Sequence, residues 1–500
     1  NLDEWKDHID VSRADLSGLP DEYIAGLEEG ESPGTFSVGM AYPEYVPFIE
    51  QASRRDLRKA LQFKFWNRAA EANMPLLSEA VELRRRMAGI YGLPTWAHHA
   101  MEVKMAKNPE AVQDFYSSIV PGLQEKAATD IAAMTAMLRS DGADLSESVG
   151  GDRLQSWDSN YYTTELRKRD YGIDQNEVAR YFPLEQVVAG MFEITGDVFD
   201  LEYRRVDDAA AWHDDVSLYE IRNRGEAAPI AHFYADLFPR EGKFGHAAAF
   251  PLVTGQLLED GTYRKPVAAI VANFTKPTES SPSLLKHDEA LTLFHEFGHI
   301  LHFCLTTVDL RHFAGFDTEW DFVEAPSQIM EHWMWQPEVL ARFARHHESG
   351  DPIPADLVER LVAARDLNVG LSTMRQIFLG QFDLNLHAST EPVDVDAANR
   401  SAYELTGFPF YEGTHFAASF GHLMGGYDAG YYGYLWSKVY GDDMFSVFQS
   451  EGILSPEVGR RYRDEVLAMG HSRDAIDHLR AFLGREPSTA AFLQNLGLHT

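Results

Sequence analysis

Residues 287–304 read HDEALTLFHEFGHILHFC, the most informative stretch of the chain. Apolar residues recur three and four positions apart, which predicts a helix whose buried face consists of Ala290, Leu293, Phe294, Phe297, Leu301 and Cys304. His295 and His299 are one turn apart and can present both imidazoles to one metal ion. Glu296 then lies next to the position where a metal-bound water would sit. The spacing predicts a catalytic zinc site.

A third ligand must come from elsewhere, because His302 and Leu305 stand where a longer zinc motif has glycine and histidine. The downstream carboxylates that could serve are Asp317, Glu319, Asp321, Glu324 and Glu331. Only Glu324 lies inside an apolar run, residues 322–326, where an unpaired carboxylate would be costly to bury. Pro326 is tolerated only in a first helical turn, so Glu324 should open a helix against the zinc helix. We predict Glu324 as the ligand and the other carboxylates as solvated surface.

Three separated blocks occur in the order typical of one peptidase family. They are FHEFGH at 294–299, preceded by HDE at 287–289; DFVEAPSQ at 321–328; and FGHLMGGYDAGYYGYLWS at 420–437. In these blocks the chain resembles the thimet oligopeptidase and neurolysin family of zinc peptidases, whose glutamate ligand falls on Glu324. Weaker similarity covers nearly the whole chain, including residues 238–243 and 272–277.

The resemblance implies a mainly α fold. Two helical halves should flank a deep substrate channel, with a small β-sheet near the zinc site, and the channel should admit short peptides. Family members carry further helical sequence before the point that matches Asn1, and the chain does not begin with Met. Relative to those members a segment on the order of one domain is missing, and three origins stay open: a separate N-terminal segment that completes the fold, removal by proteolysis, or a chain that never had it.

Hydrophobic periodicity divides the chain into two predicted regions. Residues 1–170 read as a mainly helical region, with a long helical pattern over 109–138. The resemblance implies that this region forms part of the channel wall. Residues 171–500 read as the catalytic region, which contains the zinc helix and the glycine-rich segment. Alternating or apolar runs predict a small sheet there, with strands over 216–221, 229–237 and 266–274.

Composition limits the partners and the compartment. The chain has 77 acidic against 44 basic residues, a net charge of −33, which disfavours binding to nucleic acid and to anionic membranes. No run approaches the roughly 18 apolar residues of a membrane span. The single cysteine, Cys304, excludes an intrachain disulfide, and we expect a cytoplasmic protein.

Residues 421–434, the glycine–tyrosine loop, contain five glycines and four tyrosines. Glycine at this density predicts a mobile segment. A phenol on such a segment can close over a bound peptide and donate a hydrogen bond to a developing oxyanion. The resemblance gives such roles to His422, Tyr427 and Tyr434, whereas Tyr431 and Tyr432 are interpreted as packing residues.

These expectations describe a zinc-dependent oligopeptidase that cleaves internal bonds of short peptides. One zinc ion per chain is held by His295, His299 and Glu324, and Glu296 takes a proton from the zinc-bound water. Substrate backbone could pair with the strand over 267–273 or with residues 245–249. Two alternatives remain open: a peptidyl-dipeptidase that releases C-terminal dipeptides, and a non-catalytic peptide-binding relative.

Overall fold

The structure is a computed structural model that describes residue 2 and residues 5–142, 145, 148, 153–279 and 281–498. Helices account for 54% of the chain and the sheets are small, so the expected mainly α class is confirmed. None of the helices in these ranges is long and apolar enough to cross a membrane.

The helices and strands are numbered in chain order. The α-helices are α1 Asp21–Ala25, α2 Tyr42–Gln51, α3 Arg55–Trp66, α4 Ala70–Tyr91, α5 Trp96–Met101, α6 Pro109–Ser140, α7 Ser156–Tyr171, α8 Gln175–Ala179, α9 Leu184–Phe199, α10 His287–Cys304, α11 Ala325–Glu331, α12 Pro337–Phe343, α13 Ala355–Ala363, α14 Val369–His387, α15 Val395–Tyr403, α16 Gly433–Glu451, α17 Pro456–Tyr462, α18 Ala475–Leu483 and α19 Ala490–Asn495. The strands are β1 His8–Ser12, β2 Glu28–Glu29, β3 Thr35–Gly39, β4 Leu201–Val206, β5 Ser217–Asn223, β6 Ala231–Asp236, β7 Ala248–Val253, β8 Gln256–Leu257, β9 Tyr263–Arg264 and β10 Val267–Val271.

The chain folds into two compact units. The first unit comprises Asn1–Asp174 and Asp366–Tyr432, and the second comprises Gln175–Arg365 and Gly433–Thr500. The zinc helix α10 therefore belongs to the second unit, whereas residues 421–432 of the glycine–tyrosine loop belong to the first.

The first unit combines long helices with a three-stranded antiparallel sheet in the order β1-β3-β2. Val11 and Val38 of this sheet are buried with Phe48 of α2 in one apolar cluster. Helices α6 and α14 pack closely because Gly370 and Gly380 have no side chain where Ala127 and Tyr116 approach. Residues 1–170 were predicted to be mainly helical, and no strand was predicted there; the strands of this sheet have at most five residues and so leave little periodicity in the sequence.

The second unit contains a five-stranded sheet in the order β4-β5-β6-β10-β7. Strands β6 and β10 run parallel, and the other neighbours are antiparallel. The three predicted strands are confirmed as β5, β6 and β10. The suggestion that residues 267–273 offer a free edge is wrong, because β10 pairs on both sides. The outermost strand is β7, which overlaps the alternative segment 245–249.

Helix α10 packs against β6, β7 and β10 and against α11. All six residues of its predicted apolar face are buried. Burying a Leu or Phe side chain contributes about 1.5–3 kcal/mol, so this face fixes the helix firmly on the sheet. At the start of the helix, Glu289 accepts a hydrogen bond from the backbone N–H of Lys286 at 2.8 Å. Packing and capping together set the direction in which the two histidines point.

Candidate metal and catalytic site

His295 and His299 lie side by side on α10, with ring centroids 5.2 Å apart. The glycine between them, Gly298, explains how a second helix comes close. A Cβ atom at Gly298 would lie 2.5 Å from the carbonyl oxygen of Pro326 and 2.6 Å from Cα of Ser327. Only glycine therefore permits the approach of α11 to α10 at this point.

That approach brings Glu324 to both histidines. Its Oε2 atom lies 3.2 Å from Nε2 of His295 and 3.1 Å from Nε2 of His299. Ser327 donates a hydrogen bond to the same oxygen at 3.0 Å. Burial acts to raise the pKa of Glu324, but the neighbouring His299 and His295 outweigh burial and hold it well below its usual range. The carboxylate is therefore ionised, as a metal ligand must be.

The spacing of these three ligand atoms suits zinc. Two ligand atoms about 2.0–2.1 Å from a tetrahedral zinc ion are about 3.3 Å apart. The nitrogen–oxygen separations above are within about 0.2 Å of that value, and the three ligand atoms all lie within 4.8 Å of one another. Two imidazoles and one carboxylate are also the ligand set of one class of catalytic zinc sites.

Glu331 contacts His295 on the ring nitrogen that does not face Glu324. Its Oε1 atom lies 2.7 Å from Nδ1 of His295, so Nε2 of that ring is left to face Glu324. Such a carboxylate fixes the tautomer and orientation of a ligating histidine. Glu331 was considered above as a ligand, and this contact was missed. Its separation from Glu324, which caps α11, is seven residues or about two helical turns, and this spacing is the sequence signal that both side chains lie on the same side of the helix.

Glu296 is buried at 6% exposure, and within the described residues its Oε2 atom has no hydrogen-bond partner. Burial raises the pKa of Glu296, and the adjacent His295 and His299 oppose that rise. A buried carboxylate with an uncommitted oxygen and a raised pKa has the properties of a general base.

The other nearby groups have different partners. The prediction that the other carboxylates are solvated surface is wrong for Glu319 and Asp321, which are both buried. Glu319 accepts hydrogen bonds from the backbone N–H of Ala475, at the start of α18, and lies 3.5 Å from His471. Together with Asp474 these side chains form a second His–carboxylate group, but Glu319 acts there as a helix cap. His302 is fully buried, and burial lowers its pKa to about 3. His302 is outside the group that contains His295.

Tyr434 lies in the first turn of α16, within the same unit as α10. Its carbonyl oxygen accepts a hydrogen bond from the Gln328 side chain of α11 at 2.9 Å. Gly433 and Gly441 allow α16 to lie against Asp321 and Ala325, on either side of Glu324 in the sequence. The backbone that carries Tyr434 is thus tied to the helix that Glu324 begins.

His422 and Tyr427 lie in the first unit. Their ring centroids are 5.4 Å apart with an angle of 71° between the ring planes, and the backbone N–H of Tyr427 donates to the carbonyl of His422 at 3.2 Å. Tyr431 stacks edge-on against His422 with centroids 5.1 Å apart, and Tyr432 is buried. The geometry groups His422 and Tyr427 at one turn and leaves Tyr431 and Tyr432 in packed positions.

Comparison with known proteins identifies the family. The model of peptidase family M3 matches residues 48–498, about nine-tenths of the chain. The chain belongs to peptidase family M3. Members of this family are metallopeptidases, so the resemblance noted in the three sequence blocks is confirmed.

Similar M3 peptidases carry two kinds of name. The thimet-like oligopeptidase of Dictyostelium discoideum is 36% identical over 100% of this chain and 75% of its own length. The dipeptidyl carboxypeptidase of Salmonella typhimurium is 33% identical over 97% of this chain and 72% of its own length. These relatives agree on the family. Their names differ between an oligopeptidase and a dipeptidyl carboxypeptidase, so they do not decide the mode of cleavage.

Solved structures agree on the fold. The inhibitor complex of PZ peptidase A superposes with a TM-score of 0.53 and covers 95% of this chain and 73% of that one. At 14% identity this likeness concerns the fold alone.

Proposed function

We propose that this M3 peptidase is a zinc-dependent oligopeptidase that hydrolyses internal peptide bonds of short peptides. The observation that carries the proposal is the convergence of His295 Nε2, His299 Nε2 and Glu324 Oε2 beside the buried carboxylate of Glu296. These three residues would hold one zinc ion per chain. When bound, zinc would polarise the scissile carbonyl and activate a water molecule as the nucleophile.

The side chains divide the remaining work. Glu296 takes a proton from the attacking water and later passes it to the leaving amine, for which its raised pKa suits it. Glu331 holds His295 in the tautomer that leaves Nε2 for the metal. The Tyr434 hydroxyl donates a hydrogen bond to the developing oxyanion, and Tyr427 and His422 assist when a peptide is bound.

Short peptides are the proposed substrates. The net charge of −33 makes nucleic acid and anionic membranes poor partners, and the cytoplasmic location stays a prediction. Within the part of the chain that the structure describes, the outermost strand β7 pairs with a strand on one side only, and it exposes Phe250 and Leu252. An extended peptide could add to this edge through main-chain hydrogen bonds.

A peptidyl-dipeptidase is the second candidate, favoured by the relative named dipeptidyl carboxypeptidase. Mass spectrometry of a digested peptide library distinguishes the two. An oligopeptidase yields fragments cut at internal bonds and still cleaves peptides with amidated C-termini. Release of C-terminal dipeptides alone, with loss of cleavage on amidation, would establish the second candidate. No cleavage by zinc-loaded protein would contradict both.

A further inference from the structure

Asp383, on α14 of the first unit, holds part of the glycine–tyrosine loop. Its side chain is completely buried. Oδ1 accepts a hydrogen bond from the backbone N–H of Ala429 at 2.8 Å, and Oδ2 accepts from Gly430 at 2.9 Å and Tyr431 at 3.0 Å. Three consecutive amides thus converge on one carboxylate, an arrangement that satisfies a buried negative charge and fixes the backbone that donates to it.

His387 joins Asp383 to a second charged group. Nδ1 of His387 lies 2.8 Å from Oδ1 of Asp383 and 3.0 Å from its carbonyl oxygen. Nε2 lies 3.1 Å from Nη1 of Arg84, on α4. A guanidinium group only donates hydrogen bonds, so Nε2 must accept and Nδ1 must donate. The ring therefore connects the guanidinium to the carboxylate in a defined orientation.

Arg84 and Trp96 contact the loop through Asp428. Nη2 of Arg84 lies 3.3 Å from Oδ1 of Asp428. The indole N–H of Trp96, on α5, donates to Oδ2 of the same carboxylate at 2.7 Å. We call Arg84, Trp96, Asp383, His387 and Asp428 the loop clamp. Through it, three helices hold the side chain of residue 428 and the backbone of residues 429–431.

The two halves of the loop differ accordingly. In the first half Gly421, Met424, Gly425 and Gly426 are exposed, with the side chain of Met424 59% accessible, and only Leu423 is buried. Ala429, Gly430, Tyr431 and Tyr432 are buried. Ala429 has φ of +51°, a left-handed conformation that a residue with a side chain adopts only when its surroundings impose it. Here the imposing group is the Asp383 carboxylate, which binds the amide of Ala429.

We propose that Asp383 is a positioning residue that acts through the loop clamp. By fixing residues 428–431 it confines movement to residues 421–427, and so determines where His422 and Tyr427 come to rest over a substrate. The part of this inference that concerns catalysis rests on the function proposed above. The anchoring itself does not, because it follows from contacts within the first unit.

Amide hydrogen exchange of the zinc-loaded full chain tests the anchoring. In Arg84→Met and in Asp383→Asn, exchange at residues 429–431 should accelerate at least about tenfold relative to the parent protein. Arg85→Met is the matched control, because Arg85 is one residue away on α4 but binds Glu82 and the carbonyl of Thr390 instead. Unchanged exchange at 429–431 in Arg84→Met would overturn the proposal, and this variant leaves the buried carboxylate and its amide partners intact.

Steady-state kinetics on a fluorogenic short peptide test the link to catalysis. Arg84→Met should lower kcat about tenfold, with KM within about twofold and with unchanged zinc content. The reason is that Tyr427 acts on the transition state, and a misplaced Tyr427 stabilises it less. The double variant Arg84→Met, Tyr427→Phe should have a kcat no more than about twofold below that of Tyr427→Phe alone. Effects that multiply would show that the clamp does not act through Tyr427 and would overturn this part. If the parent cleaves no peptide, the proposed function fails and the exchange result alone decides.

Discussion

At the scale of single residues, Glu296 allows the role of the general base to be tested separately from metal binding. It is buried, its pKa is raised, and its Oε2 atom has no hydrogen-bond partner among the described residues, yet it is not among the three residues that converge as ligands. We expect Glu296→Gln to keep one zinc ion per chain and to lower kcat by about 10²–10⁴, because it removes the base alone. His299→Ala, which removes a ligand, should lose the metal as well. Metal analysis beside peptide cleavage checks both, and loss of zinc from Glu296→Gln would contradict the assignment.

Tyr434 is expected to act on the transition state. Replacing it with Phe should lower kcat by about 10²–10³ with little change in KM, because the phenol stabilises charge that develops only during reaction. Tyr432→Phe is the control: that side chain is 1% exposed and packed, so its kcat should stay close to that of the parent. A large rise in KM with unaltered kcat would instead make Tyr434 a substrate-binding residue.

Glu331 should tune metal affinity through His295. Glu331→Ala removes the partner of Nδ1 and should weaken zinc binding about 10–100-fold, as measured by competition with a chelator. Glu331→Gln keeps an acceptor oxygen and should weaken binding less. Glu338→Ala, on an exposed position in the first turn of α12, serves as the control. Equal affinities for Glu331→Ala and the control would exclude this role.

These residues also show which parts of the site could be predicted from the sequence alone. His295 and His299 follow from helical spacing, and Glu324 from a carboxylate inside an apolar run, since both signals are local. The contact of Glu331 with His295 depends on how α10 and α11 cross, which in turn depends on Gly298. The hydrogen bonds that Asp383 accepts from residues 429–431 span more than forty residues, so no local sequence pattern could predict them.

At the scale of elements, Asp236 ties together the ends of two strands. It lies at the end of β6 and accepts two hydrogen bonds from Arg240, at 2.6 and 2.7 Å. Lys243 lies 2.9 Å from the same carboxylate and donates to the carbonyls of Phe238 and Ala272. The turn that precedes β7 is therefore bound to the ends of β6 and β10.

This arrangement predicts a pH dependence of stability. Burial acts to raise the pKa of Asp236, but hydrogen bonds from Arg240, Trp212 and Lys243 outweigh burial and lower it to about 2. A lowered folded-state pKa contributes stability above the unfolded value near 3.8, and that contribution is lost as pH falls towards 2. We expect Asp236→Asn to lower the free energy of unfolding by about 2 kcal/mol at pH 6. The difference in this free energy between the variant and the parent should become smaller below pH 4. Urea unfolding at several pH values measures the gap, and Asp207→Asn at an exposed position is the control.

The same element shows where periodicity was sufficient and where it was not. The apolar patterns located β5, β6 and β10 within a few residues, because each strand has its own local signal. The order of the strands has no such signal. That β10 is interior and β7 outermost depends on parallel pairing of β10 with β6, which brings together residues about 35 positions apart.

At the scale of the whole molecule, the main electrostatic feature is the excess of acidic over basic residues. Pairing every Lys and Arg with an acidic residue would still leave 33 acidic groups without a basic partner. Like charges at this density destabilise the compact state, and salt reduces their repulsion. Salt also weakens exposed ion pairs such as Arg400 with Glu412, but each of these contributes only about 0–1 kcal/mol. The repulsion should therefore be the larger of the two effects.

We accordingly expect the melting temperature to rise as NaCl increases towards 1 M. The Debye length falls from about 10 Å at 0.1 M to about 3 Å at 1 M, so most of the gain should appear early in the series. KCl at equal ionic strength should give the same curve, because the effect is one of screening and not of a bound cation. A melting temperature that stays flat or falls across the series would mean that the acidic groups are far enough apart, or paired well enough, for repulsion to be small.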